Sequence, residues 1–163
     1  MMTDAERLDE YILAHIDQEP EYLHRLYRAT HLHLLYGRMA SGHLQGRLLK
    51  MLVEMIRPKL ILELGTYSGY SGLCLAEGLG EGGMLHTIEI NDEQEDFTRP
   101  WFENSAYADK IKMHIGDAME IVPKLDLQFD MVFIDASSFQ SSERYRRREA
   151  PYRPALPQYD SSR

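Results

Sequence analysis

The stretch LILELGTYSGYS, residues 60–71, decides how this chain is read. The apolar run LILEL meets Gly65, and a small polar loop then leads into Tyr70. An apolar run, a glycine and a helix start together predict a buried strand feeding a helix through a tight turn. MLHTIEI (84–90), IKMHI (111–115) and FDMVFID (129–135) are runs of the same kind. Helix-compatible stretches lie between them at 70–79, 92–104 and 117–122. Pro100 is expected to kink or shorten the second. Strands alternating with helices predict an α/β fold, a parallel sheet covered on both faces. Right-handed crossovers make that sheet doubly wound, with ligands expected beyond the carboxyl ends of its strands.

Upstream of this region the pattern is helical. Thr3 and Glu6 form a capping box, and Leu8, Tyr11, Ile12 and Ile16 follow at helical spacing. Pro20 suits the first turn of a second helix carrying Leu23, Leu26 and Tyr27 on one side. A third helix fits 44–56, where Leu44, Leu48, Leu49, Leu52, Met55 and Ile56 are expected to share a core face, and Pro58 stops it. HLLYGRMASGH (33–43) reads as a loop. The expected organisation is therefore a helical part (1–58), an α/β core (59–136) and an atypical basic tail (137–163).

The 163 residues suffice for one hydrophobic core. With 44% hydrophobic and 27% charged residues the composition is that of a soluble globular protein. No apolar run is long enough to span a membrane. The start, MMTDAERLDE, lacks the layout of a signal peptide. Cys74 is the only cysteine, so no intrachain disulfide can form and a cytoplasmic location is expected. Inside its helix Cys74 is expected to be inert. The net charge of −8 argues against broad nucleic-acid affinity. RYRRR (144–148) is the exception and reads as a solvated charged tail, while HLH (31–33) has the wrong spacing for a zinc site.

Each of the four strands delivers an acid at one edge: Glu63, Glu89, Asp117 just after IKMHIG, and Asp135. Singly these have structural readings. Gly65 and Gly69 could only make a turn, Glu89 could cap the next helix, and Asp117 could be an N-cap. Taken together in strand–turn–helix context they point to a polar ligand rich in donors. The spacing Gly65-x-x-x-Gly69 puts Thr66 and Tyr67 where a dinucleotide site needs a second glycine, which disfavours a diphosphate and a nicotinamide cofactor. Glu89 can accept from ribose hydroxyls and Asp117 from an exocyclic amine. Ribose, adenine and no phosphate describe an adenosine thioether or sulfonium.

The carrying segments are RMASGHLQGRLL (38–49), LELGTYSGYS (62–71), TIEIND (87–92), IGDA (115–118) and FDMVFIDA (129–136). On these the chain resembles the class I S-adenosylmethionine-dependent methyltransferases, and among them the cation-dependent O-methyltransferases of the catechol and caffeoyl-CoA type. The resemblance implies a Rossmann-like sheet and S-adenosyl-L-methionine as cofactor. It implies that Gly65, Thr66, Tyr67 and Ser71 meet the methionine part and that Glu63 shapes their loop. Glu89 would bind ribose, Gly116, Asp117 and Ala118 would hold adenine, and Met39 would cover the cofactor. Asp135 matches a cofactor-side residue that is also the first metal carboxylate, catalytic through a divalent cation such as Mg²⁺. The acceptor would be a small hydroxylated aromatic or a hydroxylated tRNA base, and a homodimer through the N-terminal helices is suggested.

The family pattern is not met throughout. Ser138 stands where a lysine base is expected, and no Asp-Asn metal pair follows. Residues 137–163 hold six Arg, three acids and no Lys. The expectation is a chain truncated or frame-shifted after Ala136. Its C-terminal strands would be missing, an edge would lie open beside FDMVFID, the tail would be extended or poorly ordered, and turnover would be impaired. The alternative reading is a non-catalytic remnant that binds an adenosyl ligand.

Overall fold

The computed structural model describes residues 2–135. Ser138, the arginine run and the rest of the tail lie outside the described residues. Helices α1 (Asp4–His15), α2 (Glu21–His33) and α3 (His43–Ile56) come first. They are followed by β1 (Leu60–Leu64), α4 (Tyr70–Gly78), β2 (Met84–Glu89) and α5 (Glu95–Glu103). Next come β3 (Ile111–Ile115), α6 (Ala118–Leu125) and β4 (Met131–Ile134). The capping box at the start of α1 forms as expected, with Thr3 and Glu6 satisfying each other's backbone N–H groups.

The four strands are all parallel, in the order β3-β2-β1-β4. Among the described residues β4 is therefore an edge strand, as expected beside FDMVFID. One sheet face packs on α2, α3, α4 and α5 through Leu26, Leu49, Val53, Leu73 and Leu75. The other holds Leu62, Leu64, Ile88 and Phe129 against Ile121, Val122 and Leu125 of α6. Each fully buried aliphatic side chain contributes about 1.5–3 kcal/mol, so both faces are anchored by burial.

Several boundaries shift for identifiable reasons. Strand β2 stops at Glu89 because the ladder hands over to the next loop, and β4 covers only four of the seven residues of FDMVFID. The 92–104 helix divides into a 3-10 turn at Asp92–Gln94, capped by Asn91, and the nine-residue α5. Pro100 supplies no N–H, and α5 closes three residues after it. The loop 33–43 contains one 3-10 turn, Gly37–Met39.

The expected core face of α3 needs correction. Leu49 is buried, but Leu44, Leu48, Met55 and Ile56 are exposed, and the side turned inward is Gly46, Leu49 and Val53. Gly46 allows the approach to α4: a Cβ there would stand 2.6 Å from the Cys74 sulfur. Arg47 is the other unexpected resident of this interface. Its guanidinium makes a bidentate pair with Glu77 at 2.6 and 3.1 Å, and Lys50 stands 3.4 Å from the same carboxylate. The hydrogen bond to Glu77 raises the Arg47 pKa. Burial works against charge on Glu77, but Arg47 and Lys50 outweigh it and hold that carboxyl below its usual range.

Candidate cofactor site at the strand ends

Three backbone hydrogen bonds extend the parallel ladder past the strands and bring their loops together. The Gly65 N–H donates to Ile88 O at 2.9 Å, Gly116 N–H to Glu89 O at 2.8 Å, and Asp135 N–H to Leu64 O at 2.9 Å. The acids read from the sequence therefore converge on one rim. Glu89 and Asp117 sit at the ends of neighbouring strands.

The loop after β1 folds back on itself. Gly69 N–H donates to Thr66 O at 2.9 Å, and Tyr67, with φ 47°, takes a left-handed conformation that costs a non-glycine residue roughly 1 kcal/mol. Gly69 is needed where it stands. Its φ is 85°, and a Cβ would meet the Phe102 ring at 2.8 Å. Two side chains hold the Tyr67 backbone in place, one on the peptide before it and one on the peptide after it. Its N–H donates to Glu89 Oε2 at 2.8 Å, and its carbonyl accepts from Thr98 Oγ1 at 2.6 Å. The other Glu89 oxygen accepts the Asn91 N–H at 3.0 Å, so this carboxylate also braces its own loop.

Behind the loop lies Glu63, fully buried. Ser71 donates to its Oε1 and Thr87 to its Oε2, both at 2.6 Å, and Thr66 meets Thr87 at 2.6 Å. The register explains the pairing, because Glu63 lies opposite Thr87 on adjacent strands and both point to the same face. Burial pushes the Glu63 carboxyl up to about 7. The two hydroxyls hold it down, while the neighbouring charges of Asp135 and Glu89 add to the rise.

A cavity of about 220 Å³ opens in front of this loop. It is lined by Gly65, Thr66, Tyr67, Ser68 and Ser71 of this loop, by Met39, Ala40 and Ser41, and by Asp135. Six of the sequence-derived candidates, Met39, Gly65, Thr66, Tyr67, Ser71 and Asp135, thus share one cavity. Glu63 acts from behind through Ser71, and Glu89 through the Tyr67 N–H. Gly116, Asp117 and Ala118 lie beyond the cavity at the next strand end. Asp117 also caps α6, accepting the Met119 N–H at 2.8 Å, so its structural reading holds as well. Ser41, Ser68, Thr87 and Thr98 escaped sequence reading. Thr87 was detectable as the polar residue alternating in TIEI, whereas nothing in the sequence singles out Thr98.

The donor set fits the methionine end of an adenosyl ligand, with hydroxyls from Ser41, Thr66, Ser68 and Ser71 and carboxylates nearby. It does not fit a divalent cation. Among the described residues no three His, Cys, Asp or Glu side chains stand close enough to hold one metal ion, and burial raises the pKa of the Asp135 carboxyl, which disfavours its charged form.

An O-methyltransferase family model matches residues 14–149 of the chain. The chain belongs to the O-methyltransferase family. The match runs past Ala136 into the stretch expected to be foreign. Among relatives of this O-methyltransferase chain, catechol O-methyltransferase of Mus musculus is 33% identical over 102 residues, covering 60% of this chain and 38% of that protein. Caffeoyl-CoA O-methyltransferase 1 of Zea mays is 32% identical over 140 residues, covering 81% of this chain and 54% of the maize protein. The chain thus spans 38% and 54% of the length of these two relatives. The O-methyltransferase TomG of Streptomyces achromogenes, solved with S-adenosylmethionine, superposes with a TM-score of 0.74 at 33% identity, covering 83% of this chain and 63% of that one. The S-adenosylhomocysteine-bound methyltransferase PaMTH1 of Podospora anserina gives 0.76 at 27% identity, covering 83% and 60%. The Rossmann-like architecture is shared with both, and no helix of the described residues is long and apolar enough to cross a membrane.

Proposed function

We propose that the chain binds S-adenosyl-L-methionine on this rim and serves an S-adenosylmethionine-dependent O-methyltransferase whose acceptor is a small, catechol-like hydroxylated aromatic. The observation that carries this is the cavity lined by Met39, the 65–71 loop and Asp135, with Glu89 hydrogen-bonded to the Tyr67 N–H of that loop and Asp117 at the neighbouring strand end. Glu89 and Asp117 take the ribose and adenine, Gly65, Thr66, Tyr67 and Ser71 take the methionine part, and Met39 closes over it. The cofactor supplies an activated methyl group on sulfur. The carbon–sulfur bond breaks as a carbon–oxygen bond forms to the acceptor hydroxyl, whose proton leaves, and the thioether remains. The protein's share is alignment, worth up to roughly 7–11 kcal/mol of the barrier.

Calorimetry with S-adenosylhomocysteine, with NADH as control, tests the cofactor half. Release of S-adenosylhomocysteine from S-adenosylmethionine and a catechol, with and without Mg²⁺, tests turnover. Binding without turnover would favour the alternative, a non-catalytic adenosyl-ligand binder. Methylation of tRNA in place of catechol would move the acceptor to a hydroxylated base.

The partner reading is a second copy of the chain. Leu44, Leu48, Met51 and Met55 form a stripe on α3, 46–71% exposed, on the side opposite its buried face. Helix α3 thus carries two apolar stripes, of which the described residues cover one. The spacing of four, three and four residues is palindromic. An antiparallel two-fold pairing therefore sets Leu44 against the partner's Met55 and Leu48 against the partner's Met51, the self-complementarity a homodimer requires. Sedimentation of wild type and Leu48→Glu checks this, a dimer being expected for the first and a monomer for the second.

A further inference from the structure

Two threonines in this chain are fully buried on helices, and they use their hydroxyls differently. Thr30 of α2 donates to Leu26 O at 2.9 Å, the local bond to the preceding turn that helical threonines commonly make. Thr98 of α5 instead donates to Tyr67 O at 2.6 Å, across 31 positions of sequence. We infer that Thr98 is a positioning residue of the cofactor loop, setting the Tyr67 peptide so that the 65–71 loop receives the methionine part of the ligand. This rests on the reading of the rim as an adenosyl site.

The geometry leaves few other ways to hold that peptide. Tyr67 is left-handed at φ 47°, a conformation that a non-glycine residue keeps only when its surroundings impose it. Glu89 holds the N–H side and Thr98 the carbonyl side. In a trans peptide the N–H of the next residue points opposite to the carbonyl. The Thr98 bond therefore also turns the Ser68 N–H away from α5, and Ser68 lines the cavity. Thr98 packs beside the same loop through its methyl group, 3.0 Å from where a Gly69 Cβ would stand. Shape and hydroxyl can thus be separated by substitution, since valine keeps the first and serine the second.

The test is calorimetry on the full chain with two ligands, S-adenosylhomocysteine and 5′-methylthioadenosine, which shares the adenosyl end but lacks the amino-acid part. Thr98→Val is expected to weaken S-adenosylhomocysteine about tenfold and to leave methylthioadenosine within about twofold, with Thr98→Ser close to wild type for both. A role in general stability alone would weaken both ligands together. Equal losses for the two ligands, or a Thr98→Val protein that binds S-adenosylhomocysteine like wild type, would overturn the inference and leave the adenosyl site standing. A wild-type protein silent to both ligands would remove the site itself and the role of Thr98 with it.

Discussion

The Glu89 carboxylate and the Tyr67 N–H are joined by a 2.8 Å hydrogen bond, so the acid at the end of β2 holds the loop at the end of β1. A side chain singled out as a ribose ligand is also a brace for the neighbouring subsite. Substitutions at Glu89 should therefore act on both ends of a bound adenosyl ligand. Glu89→Gln, which cannot offer two acceptor oxygens, is expected to weaken S-adenosylhomocysteine by about tenfold or more. Calorimetry checks it, and undiminished affinity would remove the ribose assignment.

Glu63 should make stability depend on pH in a defined sense. The unfolded chain gives up this proton near the ordinary value of 4.5, while the folded protein keeps it until about 7. The contribution of this group is fully present below the lower value and is lost as pH rises through the upper one. Glu63→Gln carries no such proton. Its stability relative to wild type is expected to rise between about pH 5 and about pH 8 by on the order of 2–3 kcal/mol. Urea unfolding at a series of pH values gives the difference; a difference that stays flat contradicts the assignment.

Arg47 should matter for folding and not for ligand chemistry. Its removal would leave Glu77 half-buried beside Lys50 only. Arg47→Ala is expected to cost roughly 3 kcal/mol, the usual consequence of breaking a buried pair from one side. Chemical denaturation reads this directly, and a loss below about 1 kcal/mol would mean the pair behaves as an exposed one.

Cys74 should be silent toward alkylating agents in the folded protein. It is fully buried between α3 and α4, and burial pushes its thiol up to about 12 against the opposing influence of Arg47. Mass spectrometry after iodoacetamide treatment should find it unmodified in buffer and labelled in denaturant. Rapid native labelling would show that the α3–α4 interface opens.

Much of the architecture was readable because it is written in local periodicity. LILEL, MLHTIEI and IKMHI are largely apolar over the length of a strand, and the glycines after LILEL and IKMHI mark where the chain must turn. The α3 face was misread for the same reason. Leu44, Leu48 and Met55 satisfy a helical repeat as well as Gly46, Leu49 and Val53 do, and periodicity does not say which of two apolar stripes meets α4. The small size of Gly46 was the one local hint, since close helix packing favours it.

The sequence by itself determined the order of strands and helices, the turn at Gly65–Gly69 and the presence of an acid at or near the end of every strand. Backbone propensity, hydrophobic spacing and residue chemistry act over a few neighbours and survive in one dimension. Only the tertiary structure decided that Glu63 is sealed behind Ser71 and Thr87, that Arg47 is spent on Glu77, and that Thr98 and Glu89 clamp the Tyr67 peptide. Those partners lie 8 to 31 positions apart in the chain. Their meeting depends on strand register and helix packing, which no short stretch of sequence contains.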